Sequence, residues 1–263
     1  MKLNITHATR YAYKQPVSYG LQQVRLTPTG SAAQNILSWS LDIEGGRKET
    51  RFTDQHDNQV DLISLESDEI VLTVTGEVET AQTAGVYGPH SGATPLWYFL
   101  WQTELTKPGN QIETLLGGLE DAGDDVARLH ALSQRICEVV KYDVGAGDVS
   151  ATAEDVLAAG HGVCQDHAHV FLAAARKLGF PSRYVSGYLM MNDRIDQDAS
   201  HAWVESHVDG LGWVGLDISN GISPDERYVR LATGLDYRQA APISGLVYGG
   251  GRESMIVSIQ VQQ

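Results

Sequence analysis

The chain has 263 residues, enough for one large domain or two modest ones. A hydrophobic content of 42% with only 8 prolines argues against a disordered chain. The formal net charge of −14 argues against nucleic-acid binding, which needs a basic face. The acidity is read first as solubility and second as a preference for basic or amine-bearing substrates.

The first residues carry no long apolar stretch after Lys2, so no signal peptide is expected. No run approaches the roughly 20 apolar residues of a membrane span, and no membrane partner is expected. The two cysteines, Cys137 and Cys164, argue against a disulfide framework and make a reducing cytoplasm the expected location.

From Leu3 to Tyr13, and again from Ile70 to Val78, apolar and polar residues alternate with the period of a half-buried strand. Turn signals at 27–30, 44–46 and 55–58 separate such runs, which predicts an N-terminal antiparallel β domain over residues 1–95. Residues 81–95, rich in Gly, Pro and small side chains, read as a linker. Residues 96–263 then form the second unit.

Val126, Leu129, Ser133, Ile136 and Val140 follow helical spacing, with Asp124 and Asp125 at the helix start. Cys137 falls on or beside this helix and reads as a small buried hydrophobe. A short helix is predicted over 153–159, capped by Thr152. A longer one opens at Cys164, with Ala168, Phe171, Leu172, Ala175 and Leu178 on its apolar face and Gly179 and Pro181 as stop signals. Strands are predicted over 183–190, 201–208 and 213–218, and a last one over Met255–Val261 after the glycines 249–251. Strands, then helices, then strands make an α+β fold and not a βαβ repeat.

A cysteine at a helix start sits where unpaired N–H groups and the helix dipole favour a thiolate, and the same N–H groups can donate to an oxyanion. His201, Trp203, Glu205 and His207 share one strand face, as do Trp213, Gly215 and Asp217 in the next run. Whether His201 meets Asp217 depends on the hairpin loop. A three-residue loop, Asp209–Leu211, makes opposed residue numbers sum to 420. Trp203 then faces Asp217, and His201 lies diagonal to it at roughly 7–8 Å between backbones. A four-residue loop throws the two onto opposite faces unless a bulge intervenes. The pattern thus permits a Cys–His–Asp arrangement without requiring it; a buried inert cysteine and a strand histidine fit the same spacing.

The strings Gly-Val-Cys-Gln-Asp-His-Ala-His (162–169), Pro-Ser-Arg-Tyr-Val-Ser-Gly-Tyr-Leu (181–189), Ser-His-Ala-Trp-Val-Glu (200–205) and Gly-Trp-Val-Gly-Leu-Asp-Ile-Ser-Asn (212–220) closely resemble the bacterial transglutaminase-like family. So does the segment 234–245, and residues before the core resemble that family's N-terminal β domain. The resemblance implies a papain-like, transglutaminase-like α+β core with Cys164 as nucleophile, His201 as general base and acid, and Asp217 as the residue that orients the histidine. It implies a cysteine protease or amide hydrolase, without implying protein crosslinking. Asp-Ile-Ser-Asn stands where many relatives have Asp-Pro-Thr-Asn, and His167 where an aromatic is common.

The spacing His161-x-x-Cys164-x-x-His167 also invites a zinc reading, but a thiolate used as nucleophile is not tied to metal. No metal and no cofactor are expected. Asp166 and His169 read as helix-surface residues or as supports of the site, and Trp203 and Trp213 as core or cleft walls. Tyr142, which precedes the cysteine helix, is a candidate second oxyanion donor. The expected partner is a peptide or protein amide. An amine-accepting transamidase and a non-catalytic binding protein are the alternatives; the oligomeric state is not readable.

Overall fold

The structure, a computed structural model, describes residues 1–119, 121–145 and 149–263. The N-terminal strand Lys2–Tyr13 buries every second side chain from Leu3 onward, as its alternation demands. It is flanked antiparallel by Glu69–Thr80 on one side and by Glu253–Gln262 on the other. This first sheet runs in the order 196–197, 253–262, 2–13, 69–80, 34–44. A second sheet runs 243–249, 17–27, 59–65, 46–53. Leu3, Ile5, Leu72 and Val78 of the first sheet share one core with Val24, Leu26 and Ile63 of the second. The last two long strands of the chain are therefore built into the sheets that its first residues begin.

The third sheet is antiparallel throughout and runs 228–234, 182–189, 201–208, 212–216, 86–88. Its short last strand, Val86–Gly88, comes from the stretch read as a linker and pairs with Trp213 and Val214. Tyr188, Val229 and Leu231 of this sheet enter the core of the N-terminal sheets, so the two layers adhere by apolar contact.

The helix Cys164–Lys177 packs against Tyr184, Ala202 and Val204 of the third sheet, and the helices Asn110–Leu116, Asp125–Val139 and Ala153–Ala159 surround it. All its residues from Asp166 to Arg176 are buried, which is the environment of a central helix and not of an amphipathic surface one. Ala168, Ala173, Ala174 and Ala175 let its neighbours approach closely. Asp166 and His169, expected as helix-surface residues or as supports of the site, are accordingly buried. The neighbouring helices start as their sequences predict. The Asp124 side chain accepts from Ala127 N at 2.9 Å, and Thr152 and Asp155 cap each other reciprocally before Ala153–Ala159. No helix among the described residues is long and apolar enough to cross a membrane.

Candidate active site

Cys164 is the first residue of its helix, so its N–H has no acceptor within that helix. The chain reaches this point through a two-residue strand, His161–Gly162, paired in parallel with Lys141–Tyr142. Gly162 is required there. A Cβ at this position would stand 2.7 Å from the Asp166 side chain, which folds back to accept from Val163 N at 2.8 Å. Asp166 thus holds the helix start from within, and its carboxylate near the first turn matches the helix dipole. The ring nitrogens of His167 face the carbonyls of Val163 (2.9 Å) and Val140 (3.1 Å), which ties the helix to the segment carrying Tyr142.

The hairpin that carries the histidine and the carboxylate has the three-residue loop. Val208 pairs with Gly212 and Val204 with Leu216, an even register of 420 throughout. Gly210 and Gly212 take positive φ (81° and 85°), the conformations that such a tight connection needs. Asp217 lies just beyond the ladder, where its backbone bridges to Ile222. His201 Nε2 donates to Asp217 Oδ2 at 2.6 Å. The Cys164 thiol lies near enough to the same ring to act on its charge.

Both partners are deeply buried, His201 7% exposed and Asp217 0%. Burial alone works against the charged imidazole, but hydrogen bonds and charge from Asp217 and Cys164 outweigh it and push the His201 pKa up to about 10. Burial likewise opposes the Asp217 carboxylate. The His201 hydrogen bond and charge, with donors from Asn220 and Tyr228, hold it down at about 2. Each member of the pair thus favours the charged form of the other.

Asp217 is gripped by its own loop. Ser219 Oγ and Asn220 N donate to Oδ1 at 2.8 and 3.2 Å, and Asn220 Nδ2 donates to Oδ2 at 2.7 Å. Tyr228 OH adds a fifth donor, to Oδ2 at 2.7 Å. Sequence reasoning missed these three residues as site components. The Ser219-Asn220-Gly221 turn following an aspartate carries a local signal for this wrapping. Tyr228, eleven residues away on another strand, carries none.

His201 opens onto a cleft of about 550 Å³. Tyr142, Leu189, Met190, Met191 and Ile222 give it apolar wall, and Arg194 and Arg227 bring charge. Tyr142 thus shares the cleft with His201, half-exposed, with the charges of Cys164 and Asp217 acting on its hydroxyl after burial as the larger influence. Cys137 is elsewhere employed. Its thiol donates to Ile218 O at 2.6 Å, pinning the loop after Asp217 to the helix Asp125–Val139, and burial pushes its pKa up. Trp203 and Trp213 are both buried; Trp203 stacks on His201 at 6.2 Å between centroids. A separate cavity of about 330 Å³ contains none of Cys164, His201 and Asp217 and is lined by Arg183, Arg230, His56 and Trp213.

A helix-start thiol beside a strand imidazole that is fixed by a buried carboxylate, on an antiparallel sheet, belongs to a papain-like α+β architecture of the transglutaminase type. Residues 113–218 match the family described as transglutaminase-like superfamily, and residues 3–79 match the bacterial transglutaminase-like N-terminal region. The chain belongs to the transglutaminase-like superfamily and carries the bacterial N-terminal domain of that group. A solved structure from Cytophaga hutchinsonii, described as a candidate cysteine protease, superposes with a TM-score of 0.80 at 22% identity, covering 100% of this chain and 90% of that one. An uncharacterized protein of Mycobacterium leprae is 25% identical over 99% of this chain and 98% of its own length. Another from Mycobacterium tuberculosis is 29% identical over 99% and 92%.

Proposed function

We propose that the chain is a cysteine-dependent amide or peptide hydrolase in which Cys164 is the nucleophile, His201 the base and acid, and Asp217 the orienting carboxylate. The observation that carries this reading is His201 Nε2 held on Asp217 at 2.6 Å, with the helix-start Cys164 acting on the charge of the same imidazole. The imidazole takes the thiol proton, and the thiolate attacks the carbonyl carbon of an amide. The carbonyl electron pair moves onto oxygen, where the Cys164 N–H is the first donor and the Tyr142 hydroxyl our candidate for the second. The imidazolium then gives its proton to the leaving nitrogen, the C–N bond breaks, and a thioester remains. Water, deprotonated by His201, attacks the thioester; the acid leaves and the thiol is restored.

An amine in place of that water gives a transamidase through the same acyl-enzyme. A cysteine protease-like fold supports a peptide or protein as substrate. The two cysteines are free thiols, which fits a reducing compartment such as the cytoplasm. The test is a peptide and isopeptide substrate screen of the wild type against Cys164→Ala, with and without added amine. Release of amine and acid that depends on Cys164 supports the hydrolase. Incorporation of the added amine in place of hydrolysis makes the protein a transamidase. Binding that survives Cys164→Ala, with no turnover in the wild type, makes it a binding protein.

A further inference from the structure

We propose that Tyr228 is a positioning residue of this site, whose hydroxyl fixes Asp217 and weakens that carboxylate's pull on His201, so setting the pH at which the imidazolium releases its proton. The proposal rests on the Cys164–His201–Asp217 reading above.

Asp217 Oδ2, the oxygen that faces His201, is shared by three donors: His201 Nε2 at 2.6 Å, Tyr228 OH at 2.7 Å and Asn220 Nδ2 at 2.7 Å. With Ser219 Oγ and Asn220 N on Oδ1, five donors meet a carboxylate that offers about four lone-pair sites. Ser219 and Asn220 belong to the same loop as Asp217 and move with it. Tyr228 comes from the strand Tyr228–Gly234 at the far edge of the sheet, with 182–189 and 201–208 between it and the strand that leads to Asp217. Its ring crosses that face, edge-on to Trp203 at 5.4 Å and 5.9 Å from the His201 ring. One residue therefore ties the carboxylate loop to an independent strand and walls the imidazole.

Each hydrogen bond donated to Oδ2 draws charge from the oxygen that holds the imidazolium. Removing the Tyr228 hydroxyl leaves a more strongly negative acceptor, so His201 keeps its proton to higher pH. Loss of packing alone acts the other way: a looser His201–Asp217 contact lets the proton go at lower pH. The sign of the shift separates positioning from mere structure. Among the described residues, the other charged or titratable groups around the pair are the Cys164 thiol, Tyr142, Cys137 and, at the cleft, Asp193, Arg194 and the Arg227–Asp225 pair. All remain in place in Tyr228→Phe.

The experiment uses the full chain and needs no substrate. The rate at which iodoacetamide alkylates Cys164, read by mass spectrometry on the Cys164 peptide alone, is followed against pH. Where thiolate and imidazolium coexist the rate rises in two steps, and the upper step marks loss of the imidazolium proton. Tyr228→Phe is expected to raise that upper step by about half to one pH unit. Replacement of Tyr228 by 3-fluorotyrosine, a stronger donor with nearly the same shape, should lower it, and this arm stands even where the phenylalanine variant folds poorly. A two-step wild-type profile whose upper step is unmoved or lowered in Tyr228→Phe, or raised by 3-fluorotyrosine, overturns the role of Tyr228 and leaves the hydrolase reading intact. A single free-thiol step in the wild type that His201→Ala does not change overturns both.

Discussion

His201 and Asp217, 16 residues apart in sequence, meet at 2.6 Å because the connection between their strands is three residues long. The contact is a consequence of parity. An even register puts both side chains on one face of the hairpin, and an odd one puts them on opposite faces. Insertion of one glycine between Gly210 and Leu211 is therefore expected to separate them. The checks are loss of any His201 effect on Cys164 alkylation and, once a substrate is found, loss of turnover by at least the scale of His201→Ala. Retention of the wild-type alkylation profile would mean that a bulge absorbs the extra residue.

Cys164→Ala should abolish turnover, because no other group can form the acyl-enzyme. Cys164→Ser should be nearly as damaging, since a hydroxyl is a much weaker nucleophile in a site arranged for sulfur. Cys137→Ala should leave turnover close to unchanged, because its thiol faces the Ile218 carbonyl. Steady-state rates on a substrate from the screen decide this. A Cys137 variant as inactive as Cys164→Ala would relocate the nucleophile.

His201→Ala removes both base and proton donor and is expected to cost about 10²–10⁴ in rate or more. Asp217→Ala should be milder, since the imidazole remains but loses its orientation. Thermal melts must accompany the rates. Asp217 is buried and accepts five hydrogen bonds, so its removal strands Tyr228 and Asn220 donors as well.

The buried pair should also write itself into the pH dependence of stability. His201 has a folded pKa raised from 6.5 to about 10, so its contribution is fully present below about pH 6.5 and is lost as pH rises through 10. Asp217 has a folded value lowered from 3.8 to about 2, so its contribution is present above about pH 3.8 and lost as pH falls through 2. The melting-temperature gap between wild type and His201→Ala should therefore narrow steadily from pH 6.5 to 10. A gap that stays constant across that range contradicts the raised imidazole.

Gly187 lies directly across the ladder from His201. A Cβ at Gly187 would stand 2.2 Å from the Val229 carbonyl and 2.5 Å from the Trp203 ring. Gly187→Ala should cost about 1–3 kcal/mol as an overpacked core, measured by denaturant unfolding. Because Trp203 stacks on His201, the variant should also alter the Cys164 alkylation profile.

The fold and the pairing of the site were legible where they depended on period and loop length. Strand alternation marked Lys2–Tyr13, acidic residues marked the helix start at Asp124–Asp125, a cap marked Thr152, and the structure takes the three-residue loop Asp209–Leu211, one of two the sequence left open, which sets the 201–216 register. What was not legible comes from contacts between distant segments. Nothing near Tyr228 announces that its hydroxyl reaches Asp217, and nothing in residues 81–95 announces that Val86–Gly88 closes the edge of the third sheet. Asp166 and His169 were expected as helix-surface residues or supports because apolar spacing marks one face of their helix, whereas helices on the other side bury the polar face too.

The pairing of Glu253–Gln262 with Lys2–Tyr13, and of Ile243–Gly249 with Val17–Thr27, has a consequence for how the chain is made. During synthesis the first strands emerge with open edges, and the partners that cover them are translated roughly 240 residues later. At about 5–20 residues per second the nascent sheets wait ten seconds or more, exposing strand edges and half a hydrophobic core. Closure of so long a loop predicts slow refolding and a strong dependence on chaperones or low concentration. It also means that a ribosome stalled before residue 243 holds out two unfinished sheets next to an already complete histidine–aspartate hairpin.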